Sequence, residues 1–216
     1  MKCDLHIHSF ASYDSLIDKE DILSACRKRN IGTIAITDHN EIFGAIKLQK
    51  ELPLKVIIGE EIATQKGEIT GLFLKRKINP GLTLGETLRQ IKSQNGIVYL
   101  PHPFDSSTGR KSLGSRDVLE YIKEIDLIKV FNSRTFFNHY NKKAYEFAKK
   151  YGKAIAAGSD AHTPGEIGLA GIEIDNFEGK EDFLNKIRKA TIFGKKSPPY
   201  VYLVTKWVRL RKKFFD

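Results

Sequence analysis

The stretch D-L-H-I-H-S, residues 4–9, closes a short apolar run with two histidines one residue apart. Side chains two apart in a strand point the same way. His6 and His8 therefore present their rings to one side, with Asp4 beneath them as a group placed to orient them. The ending recurs along the chain. T-D-H-N brings His39 after the run 33–37, and I-G-E-E-I brings Glu60 and Glu61 after 55–58. L-P-H-P brings His102 after 97–100, and G-S-D-A-H brings Asp160 and His162 after 154–157. Gly158 and Ser159, just before that last pair, are small enough for close backbone approach.

Between these runs lie helical patterns, over about 18–30, 41–52, 84–94, 118–123, 138–151 and 181–190. Asp18 is a candidate N-cap, followed by the apolar stripe Ile22, Leu23, Ala25 and Cys26. Further strands are expected at 68–74, 126–131 and 169–174. Apolar runs alternating with helices predict parallel strands covered on both faces, either an open doubly wound sheet or a closed β/α barrel. His8, His39, Glu61, His102, Asn132 and Asp160 each follow a different strand. A barrel gathers those ends on one rim, where active sites are built, whereas an open sheet spreads them along an edge. The expectation from the pattern is a closed β/α barrel with a metal site at the C-terminal ends of its strands.

Composition sets the outer limits. The chain has 216 residues, 41% of them apolar and 29% charged, which suits one well-buried domain. No apolar stretch approaches the ~20 residues of a transmembrane helix, and Asp4 and the histidines interrupt any leader-like start. Two cysteines suggest neither a disulfide scaffold nor a thiolate zinc site, so a cytoplasmic setting is expected. The net charge of +10 is uneven. Residues 194–216 hold seven Lys/Arg and one acid, leaving a nearly balanced body of 29 basic and 25 acidic groups. The body thus offers no argument for a nucleic-acid groove.

Histidine with carboxylate suits Zn, Mn or Fe. Any one of these histidines has an ordinary explanation. Tight turns account for His102 between two prolines, and Asp38 can cap the helix that follows it. Five such coincidences at the same end of successive strands do not. His139, at a helix start, stands apart from them.

Together, D-L-H-I-H-S with Asp14 following, T-D-H-N, I-G-E-E-I, Y-L-P-H-P, V-F-N-S-R and G-S-D-A-H resemble the PHP (polymerase and histidinol phosphatase) family over residues 2–162. The resemblance implies a distorted (β/α)7-type barrel, commonly of seven strands, with two or three divalent ions (Zn, Mn or Fe) that hydrolyses phosphate esters by a metal-bound hydroxide. It implies that His6, His8, Glu61 and Asp160 hold a first ion. Glu61 would bridge to a second shared with His102, and Asp14, His39 and His162 would hold a third. Where several relatives carry a further histidine after the bridging glutamate, this chain offers Glu68. Another ligand position of some relatives falls at Asn132.

No Ser, Cys or Thr stands out as a nucleophile with a paired base. Arg134 is the first choice for a phosphate clamp, and the loop 105–116, with Arg110 and Lys111, is a second source of cations. The expected substrate is a small phosphomonoester or a nucleotide or oligonucleotide end. The rival is a non-catalytic module of the same fold that binds nucleic acid, a polymerase or a membrane surface. The expectation is a barrel over 1–193 and a basic amphipathic tail over 194–216 that belongs to the same domain. In the tail, Leu203, Trp207, Leu210 and Phe214 fall on one helical face. That face reads either as docked on the barrel or as resting on an anionic surface or a partner.

Overall fold

The computed structural model describes residues 1–106 and 112–215. Its strands are β1 (Lys2–Ile7), β2 (Ile31–Ile36), β3 (Lys55–Ala63), β4 (Glu68–Leu72), β5 (Ile97–Leu100), β6 (Leu127–Asn132), β7 (Ala154–Gly158), β8 (Ala170–Glu173) and β9 (Thr191–Gly194). Its helices are α1 (Lys19–Arg29), α2 (Phe43–Glu51), α3 (Leu84–Ser93), α4 (Ser115–Glu120), α5 (Asn138–Lys150), α6 (Gly179–Ile187) and α7 (Val201–Phe215). Local chemistry explains several boundaries. Asp18 caps α1 through a reciprocal capping box with Asp21, and Asn30 ends that helix in the left-handed region at φ 55°. Thr83 and Glu86 form the same box at the start of α3.

The sheet runs β7-β6-β5-β4-β3-β2-β1-β8-β9. Its ends meet at β1, whose outer edge is divided. Lys2 and Cys3 pair antiparallel with β8, whereas Ile7 bridges in parallel to Ala161, just beyond β7. Asp160 N–H donates to His6 O, and His8 N–H donates to Ala161 O, both at 2.9 Å. Seven strands thus close a distorted barrel, as expected. A cluster including Leu5, Ala35, Ile57, Leu72, Tyr99 and Leu127 fills its inside, and Phe183 of α6 packs into it near the strand N-termini. Other clusters lie outside, between the sheet and its helices, around Ile22, Ile34 and Leu48 and around Ile69, Leu88 and Val130.

Two features depart from the all-parallel expectation. β4 runs antiparallel to both β3 and β5, because four residues separate it from β3 and a parallel crossover needs a dozen or more. β8 and β9 form a second antiparallel pair, and β9 has no counterpart among the expected strands.

Helix α7 lies on the barrel, but not on the expected face. Val201, Thr205 and Val208 are buried, while Leu203, Trp207, Leu210 and Phe214 are 72%, 57%, 51% and 69% exposed. Polar bonds select the docked side. Arg134 donates to Val201 O and Thr205 Oγ1, and Lys212 donates to the carbonyls of Phe10 and Ser12. Among the described residues, no helix is long and apolar enough to cross a membrane.

Cys3 and Cys26 are free and buried, and burial pushes their thiols up to about 11 and about 12. Since the thiolate is the reactive form, neither should react with Ellman's reagent in the native protein, and both should react in guanidinium. A rapidly titrating native thiol would contradict this packing of β1 and α1.

Candidate metal centre

The nine expected ligand residues converge at the C-terminal ends of the barrel strands, in three overlapping groups. His6, His8, Glu61 and Asp160 form one, His8, Asp14, His39 and His162 a second, and Glu61, Glu68 and His102 a third. The sharing of His8 between two groups goes beyond the expected ligand sets. Arg110 and Lys111 lie outside the described residues, and His139 is an exposed residue of α5.

Strand geometry accounts for the convergence. β3 pairs with β2 as far as Ile58, then continues against β4, with Glu61 opposite Thr70 and Ala63 opposite Glu68. Glu61 and Ala63 share a face by alternation, so Glu68 joins Glu61 across the hairpin. Glu60 faces the other way and accepts from Ile78 N–H at 2.9 Å. A register shift in β1 between Asp4 and Ile7 bends the strand beneath the two histidines. Asp160 adopts φ 60°, a left-handed turn immediately after β7 that Asp tolerates better than most residues. At Gly158 an added Cβ would stand 2.8 Å from His6 Cβ and N, so β7 needs glycine where it meets β1.

Neighbouring groups aim the ligand atoms. Asn132 Nδ2 donates to Asp160 Oδ2 at 2.9 Å, leaving Oδ1 toward His6 and His8. His162 Nδ1 lies 2.8 Å from Asp160 O, so the proton belongs on Nδ1 and Nε2 faces Asp14 with its lone pair. Ser12 Oγ donates to Asp14 Oδ1 at 2.8 Å, leaving Oδ2 to His39, His162 and Arg209. Two expected supports act elsewhere. Asp4 accepts from the backbone N–H of Ser159 and Gly168, each at 2.8 Å, and touches no imidazole nitrogen, so it ties β1 to the chain beyond β7. Asp38 accepts from Ser9 rather than capping α2, whose first N–H groups are taken by Glu41.

The donor set fits a cation. His6 Nε2 and His8 Nε2 are 3.1 Å apart, and both face Glu61 Oε2 (3.3 and 3.3 Å) and Asp160 Oδ1 (3.5 and 3.3 Å). A tetrahedral ion with bonds of about 2.1 Å sets its ligands about 3.4 Å apart. Five measured edges of this four-atom set match that spacing.

The electrostatics agree. Burial works to raise the carboxyl of Glu61, but His6 and His102 beside it hold it well below the usual range. Burial likewise opposes ionisation of Asp14, and His162 and His39 overcome it. Burial drives His6 down to about 4 and His162 down to about 3, leaving neutral donors. Burial also acts to lower His8, but Asp160 and Glu61 carry it up to about 10. The carboxylates of the nest thus favour positive charge beside them, and His8 and His39 are both shifted that way.

Above it opens a cavity of about 680 Å³. Arg134 lines it, but its Nε is 2.9 Å from Glu166 Oε1 and one Nη is bound to α7, so part of the expected clamp is occupied as a strut. α7 supplies Tyr202, Thr205, Lys206 and Arg209 to the wall. Arg209 is the functional candidate that sequence reasoning misses. Apolar periodicity is the signal the tail carries, and nothing in that pattern points to Asp14, 195 residues earlier.

Comparisons with known proteins agree with this architecture. A family model described as PHP-associated matches residues 138–192. An uncharacterized protein of Methanocaldococcus jannaschii, MJ0417, is 42% identical over 201 residues, covering 88% of this chain and 81% of its own. The DNA polymerase III subunit alpha of Borreliella burgdorferi is 41% identical over 81 residues, 36% of this chain and 7% of that one. A solved two-domain protein from Bacteroides vulgatus, described as containing a predicted PHP-like metal-dependent phosphoesterase, superposes with a TM-score of 0.71 at 18% identity. That match covers 90% of this chain and 65% of the other.

Proposed function

We propose that this chain, which belongs to the PHP (polymerase and histidinol phosphatase) family, is a metal-dependent phosphoesterase acting on a small substrate with a phosphate ester. The observation that carries the reading is the four-atom set of His6, His8, Glu61 and Asp160, five of whose six edges span 3.1–3.5 Å. Glu61 would bridge toward His102 and Glu68, and Asp14, His39 and His162 would complete a third position beside His8. Divalent ions held there would lower the pKa of water toward about 7 and offset charge on phosphoryl oxygens. Mixed nitrogen and oxygen donors favour Zn, Mn or Fe.

The chain's own groups do the rest. Asn132, Ser12 and the Asp160 carbonyl fix the ligand atoms in advance, so that binding requires little rearrangement. Arg134 and α7 bound the space left for the substrate, and a cavity of about 680 Å³ suits a nucleotide or sugar phosphate. Among the described residues lining it, Thr205 is the sole Ser, Thr or Cys, and its hydroxyl is engaged with Val201 O and Arg134. That favours direct attack by water over a covalent enzyme intermediate.

Metal analysis combined with a panel of phosphomonoesters, phosphodiesters and short oligonucleotides tests the proposal. With Mn, Zn or Fe restored after chelation, turnover of at least one monoester should return together with two or three ions per chain. Metal binding with no turnover of any panel member would favour a binding module instead.

A further inference from the structure

We infer that Arg209 of α7 grips the phosphoryl group of the substrate, and that the helix carrying it selects terminal phosphates over phosphates inside a chain. This rests on the hydrolytic reading above and adds the residue and the substrate class. Arg209 reaches Asp14 Oδ2 through Nε at 3.2 Å and Nη2 at 2.8 Å. Its guanidinium lies 5.3 Å from the centre of the Tyr13 ring, which stacks on His39 at 4.9 Å. The planar group is thus held from two directions beside the expected ligands. Two of its five N–H donors are used, and the other three have no partner among the described residues.

Anchoring α7 does not require this arginine. Lys212 already binds the carbonyls of Phe10 and Ser12, and Arg134 binds the first turn of the helix. Arg209 is 51% exposed, so one side of its guanidinium stays open to solvent while it pairs with buried Asp14. What its position offers is a fixed fork of free donors on the cavity wall, the geometry that suits phosphate oxygens. Lys206, one turn earlier, lines the same wall and adds a second cation.

The selectivity comes from where the helix lies. α7 spans the rim from the segment around Arg134 to that around Phe10, Ser12 and Asp14. A phosphate with chain on both sides would meet the helix where it walls the cavity. A terminal phosphoryl group needs space on one side only.

The test uses the full chain loaded with Mn²⁺. Binding of inorganic phosphate is measured by calorimetry, and turnover with p-nitrophenyl phosphate and bis(p-nitrophenyl) phosphate. Arg209→Ala should weaken phosphate binding about tenfold or more and raise KM for the monoester to match, with Arg209→Lys between it and the wild type. Bound Mn²⁺ per chain and Tm should stay at wild-type values, and the preference for monoester over diester should narrow. Phosphate affinity within twofold of wild type in Arg209→Ala would overturn the inference. So would a fall in bound metal large enough to account for the lost affinity, or a wild-type protein that binds no phosphate. If the wild type binds phosphate through Arg209 yet hydrolyses nothing, the hydrolytic reading fails and this one stands. If Arg209→Ala binds and hydrolyses like wild type, the reverse holds.

Discussion

His8→Ala and Asp160→Ala should each abolish phosphoester turnover and lower the metal bound per chain. His8 Nε2 lies 3.3 Å from both Glu61 Oε2 and Asp160 Oδ1, and the ring also belongs to the group around Asp14. Removing it would take a donor from two of the proposed ion positions, whereas His102→Ala would take one from a single position. The loss of turnover should exceed about 100-fold, more than the removal of a residue that only supports a ligand brings about. Metal analysis of purified variants should rank His8→Ala below His102→Ala in bound ions. Wild-type turnover and metal content in both His8→Ala and Asp160→Ala would overturn these ligand assignments.

The second large effect belongs to a residue outside the donor set. Asp4→Ala should destabilise the fold on the order of 4 kcal/mol, because it orphans the buried N–H groups of Ser159 and Gly168, at about 1–3 kcal/mol each. For a chain of this size that corresponds to a fall in Tm of roughly 10 °C. Asp4→Asn should lie between, since its amide keeps one acceptor and introduces a donor where donors already point inward. Thermal melts of the three proteins decide it. An Asp4→Ala melt within about 2 °C of wild type would mean that the junction of β1 with the chain beyond β7 closes without this carboxylate.

Much of this molecule is legible in its residues, and the exceptions have physical causes. S/T/D-type caps with an acid three residues on mark α1 and α3, and apolar runs ending in histidine or carboxylate locate β1, β2, β5 and β7. The choice of Glu61 over Glu60 comes from the family resemblance, and strand alternation supplies its reason. The reversal at β4 is readable too, since the short 64–67 connection permits only a hairpin, but the helix–strand rhythm of the chain suggests otherwise. The docked face of α7 is not readable. Counting apolar positions finds a stripe, yet Arg134 and two backbone carbonyls choose the opposite side, and such partners are distant in sequence. Asn132 looks like a poor ligand in the sequence and proves to steady Asp160 instead.

The divided edge of β1 also bears on how the protein reaches its native state. The first strand meets its closing partners only when residues beyond position 158 have arrived, and Asp14 meets Arg209 only later still. Such distant pairings make for slow, high-contact-order folding. An emerging polypeptide passes most of its synthesis without a competent chelating pocket, so ion capture would report that the ring has shut.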